Sequence, residues 1–142
     1  MSLDTVSRVG TAATSRLSAY KVIDTSLAQN MTPEHFGGPF IYVDVEVFDD
    51  MQSDDLSSYM ETGVIIFKIY NEERVGNREI YTIADTIKAQ FRDSRIDPAM
   101  GEKGTIFTQD LTARPLFTEF NPRRNFNWNR YDILINYKKC YT

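Results

Sequence analysis

One cysteine, Cys140, occurs in 142 residues, so no disulfide can form within the chain and a reducing compartment is expected. One histidine, His35, occurs as well. A two-histidine or Cys–His metal site would need carboxylates to complete it. Excess positive charge is missing too: the net charge is -4 and the pI about 5.0, which argues against a generally basic nucleic-acid binder. The longest apolar run is Val64–Phe67, far short of the roughly 20 residues of a membrane helix. Met1–Gly10 is polar and mixed in charge, so no secretory signal is expected. There is no phosphate-binding Gly-x-x-x-x-Gly-Lys-Ser/Thr run, no dinucleotide fingerprint, no internal repeat and no low-complexity tract.

What is present suits one ordinary folded domain over residues 1–142. Apolar residues make up 42% and charged residues 25%, close to the globular average. A chain of this size buries roughly 68% of the surface it exposes when unfolded, enough for a core without staples. Ser2–Tyr20 reads as a helix, with Leu3, Val6, Val9, Ala13, Leu17 and Tyr20 on one stripe. Lys21–Pro39 reads as a connector rich in turn formers, long enough to suggest a functional loop. Phe40–Phe48 alternates Ile41, Val43, Val45 and Val47 with polar residues and is the clearest strand. Asp49–Glu61 reads as an acidic solvated loop, and Thr62–Tyr70 as a covered central strand.

Asn77–Arg92 reads as the second helix, capped by Asn77, with Ile80, Ile83, Ala84, Ile87 and Phe91 on its buried stripe. Asp93–Gly104 is a loop, Thr105–Leu111 and Arg114–Phe120 are weaker strands, and Asn127–Lys138 is the last strand. In that strand Tyr131, Ile133, Ile135 and Tyr137 face one way, and Arg130, Asp132 and Asn136 the other. The order is α-β-β-α-β-β-β. The expected fold is α+β, a mostly antiparallel sheet flanked by two main helices.

Chemistry-bearing patterns are sparse. His35 sits alone in the turn-rich connector and reads as an exposed loop histidine. The span Asp50–Glu61 has the length of a calcium loop but carries Asp55 where that loop needs glycine. Asp44 and Glu46 share a strand face, as hydrolytic carboxylates can and as solvated ones also do. Lys138 and Lys139 beside Cys140 would favour its thiolate, but with no histidine nearby an incidental cysteine is the better reading. No catalytic, metal or cofactor-binding residues are assigned. Charge distribution is more informative: residues 1–62 hold 10 acidic and 3 basic side chains (net -7), and residues 63–142 hold 10 acidic and 13 basic (net +3). Two unlike patches on one subunit suit a head-to-tail oligomer. The interface candidates are Asp49, Asp50, Asp54 and Asp55, with Arg123, Arg124, Phe126, Trp128 and Arg130.

The helix, the lead-in Gly37-Gly38-Pro39-Phe40, the strands Ile41–Phe48 and Gly63–Tyr70, the helix Asn77–Phe91 and the closing Trp128–Tyr137 follow one another in a familiar order. Over about residues 36–140 this order resembles the tail terminators of long-tailed phages, the minor tail protein U-like family. The resemblance implies a structural virion protein, not an enzyme, forming a homo-oligomeric ring, usually of six subunits. Its implied partners are the tail tube protein and the head–tail connector. DNA would pass through the lumen without sequence-specific binding, no membrane or cofactor would be involved, and assembly would take place in the host cytoplasm. Alternatives are a neck or head–tail joining protein, a small hydrolase with an acidic site, and a nucleic-acid module using Arg114, Arg123, Arg124 and Arg130.

Overall fold

The structure, a computed structural model, describes residues 2–26, 38–52, 59–100, 104–121 and 126–141. Its strands are β1 (Val22–Asp24), β2 (Phe40–Gln52), β3 (Tyr59–Glu72), β4 (Arg95–Ile96), β5 (Ile106–Ala113), β6 (Phe117–Asn121) and β7 (Phe126–Tyr141). Its helices are α1 (Ser2–Arg16) and α2 (Arg78–Phe91). The strands form one curled, antiparallel-rich sheet in the order β1-β2-β3-β7-β5-β4, with β6 also paired to β7. The fold is α+β. The β2–β3 and β3–β7 pairs run antiparallel over almost their whole lengths, with Ile41 opposite Ile69 and Ile65 opposite Ile135.

Period-two alternation decides which face is covered. Ile41 and Val43 on β2, Ile65, Phe67 and Ile69 on β3, and Ile133, Ile135 and Tyr137 on β7 point to one side and form the main core. Both helices lie on that side. Val9, Ala13 and Leu17 from α1 and its following turn, and Ile80, Ile83, Ala84, Ile87 and Phe91 from α2, complete the core. The Phe91 and Phe67 rings meet at 4.9 Å between centroids. Where α1 ends, Arg16 turns to the end of α2 and donates to Gln90 O (3.0 Å) and Arg95 O (2.6 Å). It thereby satisfies a carbonyl that a helix terminus leaves without an intrahelical donor.

Several expectations change. The expected connector Lys21–Pro39 contains β1, which pairs parallel to β2 with Ile23 opposite Tyr42. Three residues are too short for an alternation signal, and the pairing comes from β2. The loop Asp93–Gly104 likewise contains β4. Asn77 precedes α2, but its side chain makes no cap hydrogen bond; its Oδ1 accepts from Asn129 Nδ2 on β7. The acidic span is not simply a loop: Asp49–Gln52 extends β2 and Tyr59–Glu61 begins β3, past an irregularity after Val47. Aspartates disfavour strands locally, and here β3, itself held by β7, overrides that preference.

Glu61 is the sharpest correction. It is 0% exposed, and its Oε2 accepts hydrogen bonds from Thr5 Oγ1 (2.6 Å) and Tyr137 Oη (2.9 Å). Asp50 and Glu61 stand opposite each other on neighbouring strands, and the buried Glu61 carboxylate is turned inward, so they do not form a calcium loop. Beside Glu61, Lys139 Nζ donates to Thr5 Oγ1 (3.2 Å) and to Asp4 Oδ2 (2.7 Å). These bonds hold the first turns of α1 to the end of β7. Thr5, placed off the expected stripe, is fully buried in the first turn.

Candidate interaction surface

Because α1 and α2 cover one side, the alternate residues of β2, β3 and β7 face away from them. At one end of this outer face Phe40, Tyr42, Tyr70 and Trp128 form an aromatic cluster with Ile23. Phe40 stacks on Tyr70 at 5.0 Å and meets Trp128 edge-on at 5.3 Å. Along β7 from this cluster comes Arg130. Its guanidinium lies 4.8 Å from the Phe117 ring centroid and 5.7 Å from that of Tyr70. It also grips Asp132 with two bonds, Nε–Oδ1 and Nη2–Oδ2, both 2.8 Å. Such fork-to-fork geometry fixes both side chains.

Asp132 is 1% exposed, which a carboxylate tolerates only with matched charge. Arg130 supplies that match, and Arg114 Nη1 stands 3.8 Å from the same carboxylate. Burial works against the Arg130 charge, but the hydrogen bonds to Asp132, with Tyr70 and Glu119 nearby, outweigh it and hold the guanidinium above its ordinary pKa. Burial pushes the Tyr70 phenol well up, while Arg130 pulls in the opposite direction. The two hydrogen bonds hold Arg130 and Asp132 in one geometry.

Beyond Asp132 the outer face opens into a groove of about 420 Å³. Val64, Ile66 and Leu134 make its floor, and Phe48 stands at its side, 64% exposed. Lys68 and Arg114 border one end, and Glu46 lies toward the other. Among the described residues Lys68 has no carboxylate within ion-pair distance, and most of the Arg114 side chain is open to solvent. The floor itself is nearly covered, with Val64 4% and Ile66 9% exposed between the charged borders.

The structure separates the expected interface residues. Trp128 is 1% exposed and belongs to the aromatic cluster, so it does not present its ring to a partner as expected. Its position on β7 turns it toward Phe40 and Tyr70, and the aromatic neighbours come from β2 and β3, far away in sequence. Arg130 borders the groove but is committed to Asp132. Asp49 and Asp50 lie on β2 and Phe126 opens β7. Asp54, Asp55, Arg123, Arg124 and His35 lie outside the described residues. Asp44 does not share a reaction centre with Glu46: its Oδ1 accepts the Val45 N–H (2.9 Å) and the Thr25 hydroxyl (3.2 Å) at the sheet edge.

Val64, Ile66, Lys68 and Leu134 were not among the expected contact residues. The expectation that Thr62–Tyr70 is covered on both faces holds: Val64 is 4% and Ile66 9% exposed, although the helices lie on the other face. Among the described residues, no three His, Cys, Asp or Glu side chains converge as a metal site. Compared with protein-family models and with curated proteins, the sequence matches none.

Proposed function

We propose that this chain is a structural virion protein of the tail-terminator kind. It forms a ring that caps the tail tube, ends tube polymerisation and joins the tail to the head connector. The observation that supports this most is the helix-free sheet face, where Phe48 stands 64% exposed beside a groove bordered by unlike charges. Burying such a surface against another protein releases water chiefly from Phe48, and the charges set the register of the contact. The strongly split charge along the chain supports a heterologous contact, the kind that closes into rings.

The test is the native mass of the purified protein with negative-stain images, followed by its addition to polymerising tube protein. A ring that halts tube growth is expected. A ring that joins finished tails to heads but leaves tube length unregulated would favour the neck reading. A chain that stays monomeric at every concentration would overturn both.

A further inference from the structure

An open strand edge is a template for pairing with another chain, and proteins blunt such edges by shortening, charging or bulging them. Two edges of this sheet are blunted by length, since β1 has three residues and β4 two. β6 is different. It runs from Phe117 to Asn121 in unbroken register with β7, and among the described residues it pairs with no other strand. Phe117, Thr118, Glu119 and Phe120 are all exposed, Phe120 at 60% and Phe117 at 39%. Glu119 is the one charge on the strand.

Residues opposite each other in an antiparallel pair share a face. Phe117 and Glu119 therefore lie on the outer face with Arg130 and Trp128, and Thr118 and Phe120 lie on the helix side. A second β6 laid antiparallel on this edge by a two-fold axis matches faces only when the axis passes at a residue. An axis at Glu119 sets two carboxylates against each other. An axis at Phe117 brings Pro115, which has no N–H, into the ladder, and an axis at Phe120 brings Pro122. An axis at Thr118 has none of these faults. It sets Thr118 against Thr118, Leu116 against Phe120 and Phe117 against Glu119. On the helix side Phe120 gains Leu116, which is itself packed on the core. On the outer face Glu119 comes beside the other copy's Phe117, whose ring centroid lies 4.8 Å from the Arg130 guanidinium. Asp132 holds Nε and Nη2 of that arginine, which leaves Nη1 for Glu119.

We infer that β6 takes the β6 of a second copy of this chain, antiparallel about Thr118, and joins two sheets across a two-fold axis. The inference goes beyond the ring reading and does not rest on it. A two-fold contact uses the same patch on both copies, so it is distinct from the head-to-tail contact that closes a ring. Main-chain hydrogen bonds and the burial of Phe117 and Phe120 supply the affinity, and Glu119 with Arg130 selects the register. In the free protein the pairing covers an edge that would otherwise template aggregation.

The experiment places a single cysteine at Thr118 or at Glu119 in the Cys140→Ser protein. Cα atoms facing each other across an antiparallel pair stand about 4.5–5.5 Å apart, within disulfide range. The two Glu119 positions are offset by about 7 Å along the strands, which puts them out of range. Mild oxidation should therefore link the Thr118→Cys protein into a covalent dimer about tenfold or more faster than the Glu119→Cys protein. Sedimentation should show two-copy association weakened about tenfold or more in Phe120→Lys, with circular dichroism confirming the fold. Equal linking of the two cysteine proteins, or unchanged association of Phe120→Lys, overturns the contact, and a wild-type ring seen alongside leaves the ring reading standing. A two-copy species without rings keeps the contact and removes the ring. A wild type that is monomeric at every concentration removes both. Linking of Thr118→Cys to added tube protein and not to itself overturns the second copy as the occupant. If Thr118→Cys fails to fold, having lost its hydrogen bond to Asn129, the Phe120→Lys protein decides the matter.

Discussion

Two glycines test the packing directly, because alanine at each should give a different result. An added Cβ at Gly63 would lie 2.2 Å from the Glu46 backbone oxygen, 2.7 Å from Tyr137 Cε1 and 2.8 Å from Tyr137 Oη. The carbonyl belongs to the paired strand β2 and cannot swing away. The Tyr137 ring can move only by loosening its hydroxyl from the buried Glu61. Overpacking costs about 1–3 kcal/mol, and a weakened bond to a buried carboxylate adds about 1–3 more. Gly63→Ala should therefore destabilise by about 2–6 kcal/mol. At Gly10 the new Cβ would meet Asp24 Oδ2 at 1.9 Å, but that atom ends a flexible side chain. Moving it disturbs only the local bonds from Ser26 to Asp24 Oδ1. Alanine also gains about 1 kcal/mol over glycine inside a helix. Gly10→Ala should change stability by less than about 1 kcal/mol in either direction. Unfolding entropy of about 2.1 cal/mol/K per residue makes each kcal/mol worth roughly 3 °C in a chain of 142 residues. Thermal melts should show a fall of roughly 6–18 °C for Gly63→Ala and less than about 3 °C for Gly10→Ala. Equal shifts for the two variants, or a Gly63→Ala melt indistinguishable from wild type, would refute the close approach of β2, β3 and Tyr137.

Three further outcomes are expected. Ile83→Ala, in the centre of the α2 stripe at 0% exposure, should cost about 2–5 kcal/mol in urea unfolding, and a loss under 1 kcal/mol would mean that α2 is not seated on the sheet. Asp132→Ala removes the carboxylate that holds Arg130 and should cost about 2–4 kcal/mol, less than a fully enclosed pair because Arg130 is partly open; removing both side chains should cost less than the sum of the single losses. The Lys139 hydrogen bond holds the Asp4 carboxyl below its ordinary value of 3.8. A lowered native pKa stabilises above 3.8 and is lost as pH falls through the native value, so wild type should lose more stability than Asp4→Asn between pH 6 and pH 3. Asp4 is half exposed, so the difference should be about 0–1 kcal/mol, and equal acid losses in the two proteins would contradict the linkage.

The parts of this fold legible in the sequence are those whose partners lie on their own element. The α2 stripe Ile80, Ile83, Ala84, Ile87 and Phe91 is buried as its spacing predicts. The alternation of Tyr131, Ile133, Ile135 and Tyr137 likewise places them toward the core. What escaped depends on distant neighbours. β1 exists because β2 lends it an edge, and Asp49–Gln52 are strand because β3 holds them. Glu61 seemed a surface carboxylate until Thr5 and Tyr137, 56 and 76 residues away, enclosed it. The groove was hidden for the same reason. Val64 and Ile66 look like core residues and are buried, at 4% and 9% exposed, yet the face they line carries neither helix.

The position of β7 imposes a timetable. It follows every other strand in the chain, yet it sits between β3 and β5, which do not pair with each other. Tyr59 meets Tyr141, and Glu72 meets Trp128, so almost every β3–β7 contact spans more than fifty residues. Until β7 leaves the ribosome, β3 and β5 are bare edges, and the β2–β3 ribbon has no second side. Closing such loops late makes folding slow and leaves its intermediates prone to misassociation. It also means that Lys68 on β3 and Leu134 and Asp132 on β7 come together only once β7 has been made.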